Sequence, residues 1–326
     1  MRHQLIIIDG HSTVGKSTIS KSVYQQLVNQ DQACWLHEEC EKHPIREGEF
    51  EAGDINSLDG MELNRQLMLD KWRRLTEIIR QSGQVFVMEG CLLHSVDRYL
   101  LQSVWDAEQI MNYFGQILEI IQPLNPLIVF LHRPDLKASF EKAFKARGER
   151  WRDLILGLPL PSGYLKAHPH AEEDDGVSIF EGLLYEQEQM EQTFAQLSCA
   201  KLKVDTTEEQ WEQYIREITE AAGYQFRREE PALPQIEKYC GAYRIQDGKG
   251  LWKIGFDDSA KCFYTSLFWP YMPMKYIGDD QFELISFPVT LKFDFTGAGS
   301  QFTVAGNYDW DCNGKTFIKV PNAEVK

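Results

Sequence analysis

Residues 10–17 read Gly-His-Ser-Thr-Val-Gly-Lys-Ser, an unbroken match to GxxxxGK[ST]. Average residue usage puts a chance match in a chain this long at about one per cent. Its position constrains the fold. It directly follows Leu5-Ile6-Ile7-Ile8, a continuous apolar run such as a strand buried on both faces requires. It opens a stretch, 18–27, that reads as helix. Strand, glycine loop and helix in that order form a cradle for phosphate. The glycines let backbone amides curl around the anion, and the helix N-terminus adds a positive dipole end. In such a cradle Lys16 bridges phosphate oxygens and the Ser17 hydroxyl ligates magnesium. The expected nucleotide-binding residues are therefore Gly10, His11, Ser12, Thr13, Val14, Gly15, Lys16, Ser17 and Thr18.

Strands and helices continue to alternate as far as about residue 220. Apolar runs at 33–36, 85–88, 126–131 and 202–204 read as further strands. Met68, Trp72, Leu75 and Ile79 lie on one helical face, stopped by Gly83 in a C-cap position. Ile110, Phe114, Ile117 and Ile121 share a second face, and Leu136, Phe140 and Phe144 a third that ends at Gly148. Thr206 with Glu209 predicts a capping box for the helix carrying Trp211, Ile215 and Ile218. This alternation predicts an α/β domain, a parallel sheet flanked by helices.

The composition then changes. The net charge of −15 over 326 residues falls almost wholly in the first 234, and the last 92 hold 18 of the 39 aromatic residues. The prediction is a P-loop domain over 1–226, a charged linker with two prolines over 227–234, and a β-domain over 235–326. Seven short runs in the last part predict strands at 243–245, 251–256, 263–267, 282–285, 290–295, 302–305 and 317–320, closing into an antiparallel sandwich or barrel. Acidic balance argues against a nucleic-acid partner. No stretch approaches the ~18 apolar residues of a membrane span. Seven widely spaced cysteines without a CxxC point to reduced thiols in the cytoplasm.

Residues 1–222 resemble the nucleoside and thymidylate kinase branch of P-loop proteins. The likeness rests on Ile8-Asp9-Gly10 leading into the loop, on Met88-Glu89-Gly90, and on Asp97-Arg98-Tyr99-Leu100. It rests also on Phe130-Leu131-His132-Arg133-Pro134 through Lys145-Ala146-Arg147-Gly148-Glu149-Arg150, and on Lys203-Val204-Asp205-Thr206. The chain departs from the deoxynucleoside kinases in having Glu89-Gly90-Cys91 where they carry Glu-Arg-Ser. The resemblance implies an arginine lid at Arg147 and Arg150, with Arg152 nearby, and a carboxylate base after the second strand at Glu38 or Glu39. It implies a loop for adenine after residue 206. Asp97 and Arg98 would clamp the acceptor. The C-terminal part is similar to small β-domains appended to bacterial serine hydrolases, through Gly241-Ala242-Tyr243 and Asp247-Gly248-Lys249, a likeness that implies no activity.

The chemistry supports these choices independently. Arginines screen the charge of a transferring phosphoryl group, although basic residues also complement a helix end. A carboxylate accepts the proton of a hydroxyl acceptor, although adjacent acids such as Glu38 and Glu39 also make solvated turns. Glu89, at a strand end beside the loop, is a candidate catalytic residue that would either hold magnesium through water, with Ser17, or orient a substrate hydroxyl. Asp97 and Arg98 otherwise form a local ion pair. His168, His170, Glu172 and Glu173 fit no standard zinc spacing. Trp269-Pro270-Tyr271-Met272-Pro273 reads as a loop open to a substrate ring or a second subunit.

The expectation is an ATP- and magnesium-dependent phosphotransferase. Its acceptor would be a nucleoside, a nucleotide or another hydroxylated metabolite or antibiotic. The absence of an Asn-Lys-x-Asp run argues against guanine. The competing expectation is a nucleotide-binding switch or scaffold whose β-domain contacts a protein partner or a second copy.

Overall fold

A computed structural model describes residues 2–171, 176–228, 233–246, 248, 250–296, 300–306, 308 and 312–321. The chain divides into two compact units. One comprises Met1–Glu38, Lys42–Glu141 and Leu154–Arg227; the other comprises Glu39–Glu41, Lys142–Asp153 and Arg228–Lys326.

The first unit is built on five parallel strands: β1 (Leu5–Gly10), β2 (Ala33–Leu36), β3 (Val85–Glu89), β4 (Leu127–His132) and β5 (Ala200–Asp205). Their order in the sheet is β2-β3-β1-β4-β5. β1 is central, and Leu5, Ile6, Ile7 and Ile8 are fully buried. That is why its run is apolar without alternation. At the β5 edge, alternate lysines face outward, and Lys201 donates to the carbonyls of Phe194, Ala195 and Leu197. A charged edge discourages pairing with another chain.

The connecting helices are α1 (Lys16–Val28), α2 (Leu58–Ser82), α3 (Ala107–Ile121), α4 (Leu136–Arg147), α5 (Glu149–Leu156), α6 (Ser162–Ala167), α7 (Ile179–Gln196) and α8 (Trp211–Ala221). A single π-helical turn covers Val96–Leu100. The faces read from periodicity are the buried ones: Met68, Trp72, Leu75 and Ile79 on α2, and Ile110, Phe114, Ile117 and Ile121 on α3. Ser57 caps α2, and Gly83 ends it in the left-handed region at φ 65°. α3 carries a capping box, Asp106 with Gln109.

The box expected at Thr206 and Glu209 does not form. α8 begins at Trp211, and Glu209 is left-handed at φ 52°. Its carboxylate instead takes Arg133 at 3.0 Å. A charge-assisted bond to a buried arginine outweighs a cap worth ~1 kcal/mol.

The second unit contains a short helix, α9 (Ile236–Tyr239), and a closed antiparallel barrel. Its strands are β6 (Gly241–Ile245), β7 (Leu251–Asp257), β8 (Cys262–Thr265), β9 (Met272–Gly278), β10 (Gln281–Leu284), β11 (Val289–Asp294), β12 (Gln301–Gly306) and β13 (Thr316–Lys319). β13 pairs with β6 to close it. Inward residues alternate along the strands, as Val289, Leu291 and Phe293 do on β11. The aromatic surplus is its core: Tyr239, Tyr243, Phe263, Phe282, Phe302 and Phe317 are all within 1% of full burial.

There are eight strands where sequence predicted seven. β9 was hidden by Pro273, which lacks a ladder donor yet pairs opposite Tyr264 and accepts from Ile285 N–H at 3.0 Å. Much of the linker (229–232) and Asp247 and Lys249 lie outside the described residues, as do Glu172 and Glu173. Among the described residues no disulfide joins the cysteines. Among the described residues no helix is long and apolar enough to cross a membrane.

Candidate functional site

The carboxyl ends of β1, β2 and β3 converge beside the phosphate loop. Strand order reverses on either side of β1, the position at which open parallel sheets take their ligands. Gly10 ends β1 at φ 144°, and a Cβ there would lie 2.4 Å from the Leu131 carbonyl oxygen of β4. Thr13 and Gly15 are also left-handed, at φ 71° and 103°. The loop is braced from α4: Ser139 Oγ donates to Thr13 at 2.9 Å. The Trp211 ring lies against Gly15, 2.9 Å from where a Cβ would sit. Lys16 is buried, and its Nζ donates to the His11 carbonyl at 3.2 Å. The ammonium is thus folded over its own loop.

Ser17 Oγ donates to Glu89 Oε1 at 2.5 Å. The other Glu89 oxygen lies 3.3 Å from His37 Nε2. A hydroxyl and a carboxylate in contact at the mouth of the loop are hard oxygen donors of the kind magnesium takes. Sequence offered both residues, and this structure brings them together.

Glu38 follows β2. A Cβ at Gly90 would lie 3.2 Å from Glu38 Oε2 and 3.8 Å from Lys16 Cε, so carboxylate and ammonium flank the same glycine. Arg46 stands 3.6 Å from Glu38 and 3.3 Å from Glu49, and Glu49 accepts from Ser95 at 2.8 Å. Burial is the strongest single influence on Glu38 and opposes ionisation. The combined positive charge of Lys16, Arg46, Arg98 and His37 outweighs it, and the carboxyl lies below its ordinary range. For Glu49 burial is again the largest influence, and its carboxyl lies above its ordinary range despite Ser95 and Arg46.

Asp9 organises the segment after β3. Its Oδ2 accepts the N–H groups of Leu92 (3.0 Å), Leu93 (2.7 Å) and His94 (3.4 Å), and its Oδ1 takes Gly10 N–H at 2.8 Å. Burial raises this carboxyl above its usual range in spite of Lys16 and those bonds.

The remaining expected residues are dispersed. Glu39 is exposed and falls in the second unit, whereas Glu38 falls in the first. Asp97 and Arg98 diverge: Arg98 is exposed and its charge reaches Glu38, while Asp97 is buried toward His11 and Glu186. Residues 142–153 belong with the barrel. There Arg147 lies 4.4 Å from the Trp151 ring centre and 5.7 Å from that of Trp269, and Ala146 accepts from Tyr271 N–H. The Trp269-Pro270-Tyr271 stretch is thus packed on that segment. Arg152 pairs with Asp153 at 2.8 Å, and Arg150 is exposed. His168 stacks on Tyr164 at 4.3 Å. Sequence reasoning passed over Asp9 as a hydrogen-bond hub, although a charged residue closing a buried strand was a usable signal. It also missed His37, Arg46 and Glu49, which lie in an irregular stretch with no periodicity to mark them.

No family model matches the chain, and no curated protein matches it. Among solved structures, a Chloroflexus aurantiacus protein named as a candidate kinase is 16% identical, with a TM-score of 0.34, over 68% of this chain and 99% of that one. The thymidylate kinase of Candida albicans is also 16% identical, with a TM-score of 0.37, over 67% of this chain and 90% of that one. Similarity this slight decides nothing about activity.

Proposed function

We propose that the chain transfers the γ-phosphoryl group of ATP to a hydroxyl of a small acceptor, a nucleoside or another hydroxylated metabolite or antibiotic. One observation carries the reading: Lys16 and an ionised Glu38 flank Gly90 beside the phosphate loop. Loop amides and Lys16 hold the phosphates and screen the charge that spreads over the transferring group. Ser17 and Glu89 would hold a magnesium ion, which neutralises phosphate charge when bound. The acceptor oxygen forms a bond to the γ-phosphorus, and the bond from that phosphorus to the bridging oxygen breaks. ADP leaves with the electron pair, and the hydroxyl proton passes to Glu38.

The lowered Glu38 carboxyl is a weak base that is always available. That suffices where the transition state is loose and the carboxylate chiefly orients the hydroxyl. Arg98, exposed beside this edge, is suited to orient the acceptor. Arg147 is engaged by two indole rings, and the scheme assigns no step to it or to Arg150.

The test is γ-labelled ATP with magnesium against nucleosides, nucleoside monophosphates and hydroxylated antibiotics. Lys16→Ala should abolish labelling. Glu38→Gln should lower kcat by roughly 10²–10⁴-fold and leave ATP affinity within about twofold. ATP binding with no acceptor labelled, or a Glu38→Gln enzyme of undiminished kcat, would overturn the reading.

A further inference from the structure

A second polar cluster is buried behind the phosphate loop and shares no residue with the Ser17–Glu89 pair. His11 comes from the loop, Asp97 from the π-helical turn and Glu186 from α7. Each offers one ligand atom, and the three atoms lie within 4.8 Å of one another. The side chains are 3%, 8% and 9% exposed. His94 stands behind Asp97, its Nδ1 3.5 Å from Asp97 Oδ2.

These groups are close, yet they do not satisfy one another. His11 Nε2 and Glu186 Oε2 are 3.6 Å apart, too far for a good hydrogen bond. His11 Nδ1, Asp97 Oδ1 and His94 Nδ1 are buried and have no hydrogen-bond partner among the described residues. Leaving such atoms unpaired in a folded interior is unfavourable, because the water they lose on burial is not replaced. Phe140 presents its ring edge to His11 at 6.1 Å, so one wall of the cluster is apolar.

We propose that His11, Asp97 and Glu186 form a binding site for a first-row divalent cation of the zinc class, with His94 orienting the Asp97 carboxylate. One imidazole and two carboxylates suit zinc and its neighbours, whereas magnesium prefers oxygen alone. Bonds of ~2.0–2.2 Å would draw the three ligand atoms to ~3.3 Å apart, close to the 3.6 Å that now separates His11 Nε2 from Glu186 Oε2. The ion would satisfy the buried carboxylates together. Burial alone drives Glu186 up to about 8, and burial more than any neighbour drives Asp97 to about 7. Asp97 lies on the π-helical turn with its side chain buried while its neighbour Arg98 is exposed, and such turns recur at functional sites. Because the ligands come from three elements, the ion would pin the phosphate loop to α7.

The test uses the full, untagged chain, stripped with a chelator and titrated with Co²⁺ in excess Mg²⁺ and without nucleotide. One equivalent should bind with the visible d–d absorption of a four- or five-coordinate ion, and Zn²⁺ should displace it. Glu186→Gln, shown folded by far-UV circular dichroism, should weaken Co²⁺ affinity more than 100-fold. His94→Gln should weaken it by roughly 10–100-fold. A His168→Gln/His170→Gln double variant should leave the band unchanged. A wild-type chain that takes up no such equivalent overturns the proposal without any variant. So does a folded Glu186→Gln chain with unaltered affinity and spectrum.

Discussion

Removing the Asp9 carboxylate should loosen the carboxyl edge of the sheet. Asp9 is fully buried and accepts Leu92 N–H at 3.0 Å, Leu93 N–H at 2.7 Å and Gly10 N–H at 2.8 Å. Each buried donor left without an acceptor costs ~1–3 kcal/mol. The two loop bonds alone therefore set a loss of ~2–6 kcal/mol for Asp9→Ala. A gain opposes this: burial raises the Asp9 carboxyl despite Lys16 and the amides, so alanine also relieves a desolvation cost. The net is about 2–4 kcal/mol. At ~2–4 °C per kcal/mol for a unit of this size, the calorimetric transition should fall by ~4–16 °C. Asp9→Asn keeps one acceptor oxygen but turns an amide toward the donors, and should lose about half as much. Hydrogen exchange gives a local reading, because the amides of Leu92 and Leu93 should lose protection before those of β4. An Asp9→Ala chain within ~1 kcal/mol of wild type, with those two amides still protected, would refute the argument.

Three further outcomes follow at other positions. Gly10→Ala places a Cβ 2.4 Å from a backbone carbonyl at φ 144°, and should cost more than ~3 kcal/mol in chemical denaturation and abolish ATP binding. Gly83→Ala, left-handed at φ 65° but with open space around it, should cost only ~1–2 kcal/mol and leave ATP binding intact. Glu62 is held down to about 2, first by hydrogen bonds from Arg65 and then from Gln66. Its depressed pKa makes the contribution present above the unfolded value of ~4.3 and lost as pH falls toward 2. Its side chain is 47% exposed, so screening limits that contribution to ~0.3–0.5 kcal/mol. Glu62→Gln should shift Tm at neutral pH by no more than ~2 °C.

Periodicity located the sheet strands and most helix faces because burial on one face leaves a repeat of 3.6, and burial on both leaves an unbroken apolar run. It failed at β9, where the pairing partner rather than the residue type makes Pro273 part of a strand. The capping-box motif at Thr206 and Glu209 failed as well, because a buried arginine outcompeted a local cap. Glu38 and Glu39 are adjacent and chemically alike; which of them stands beside Lys16 depends on how the chain turns after β2.

The sequence by itself determined the phosphate loop, its strand and its helix, since that motif is contiguous and its chemistry is local. It also determined that an aromatic-rich β-domain follows. Only the tertiary structure decided that Glu38 and Lys16 flank the same glycine, Gly90, and that Asp97 turns inward to His11 and Glu186. It alone decided that Arg147 packs among the tryptophans of the barrel unit. Each of those contacts joins residues distant in the chain or divides neighbours between environments. Side-chain direction and burial at such positions come from packing of whole elements, which no local pattern records.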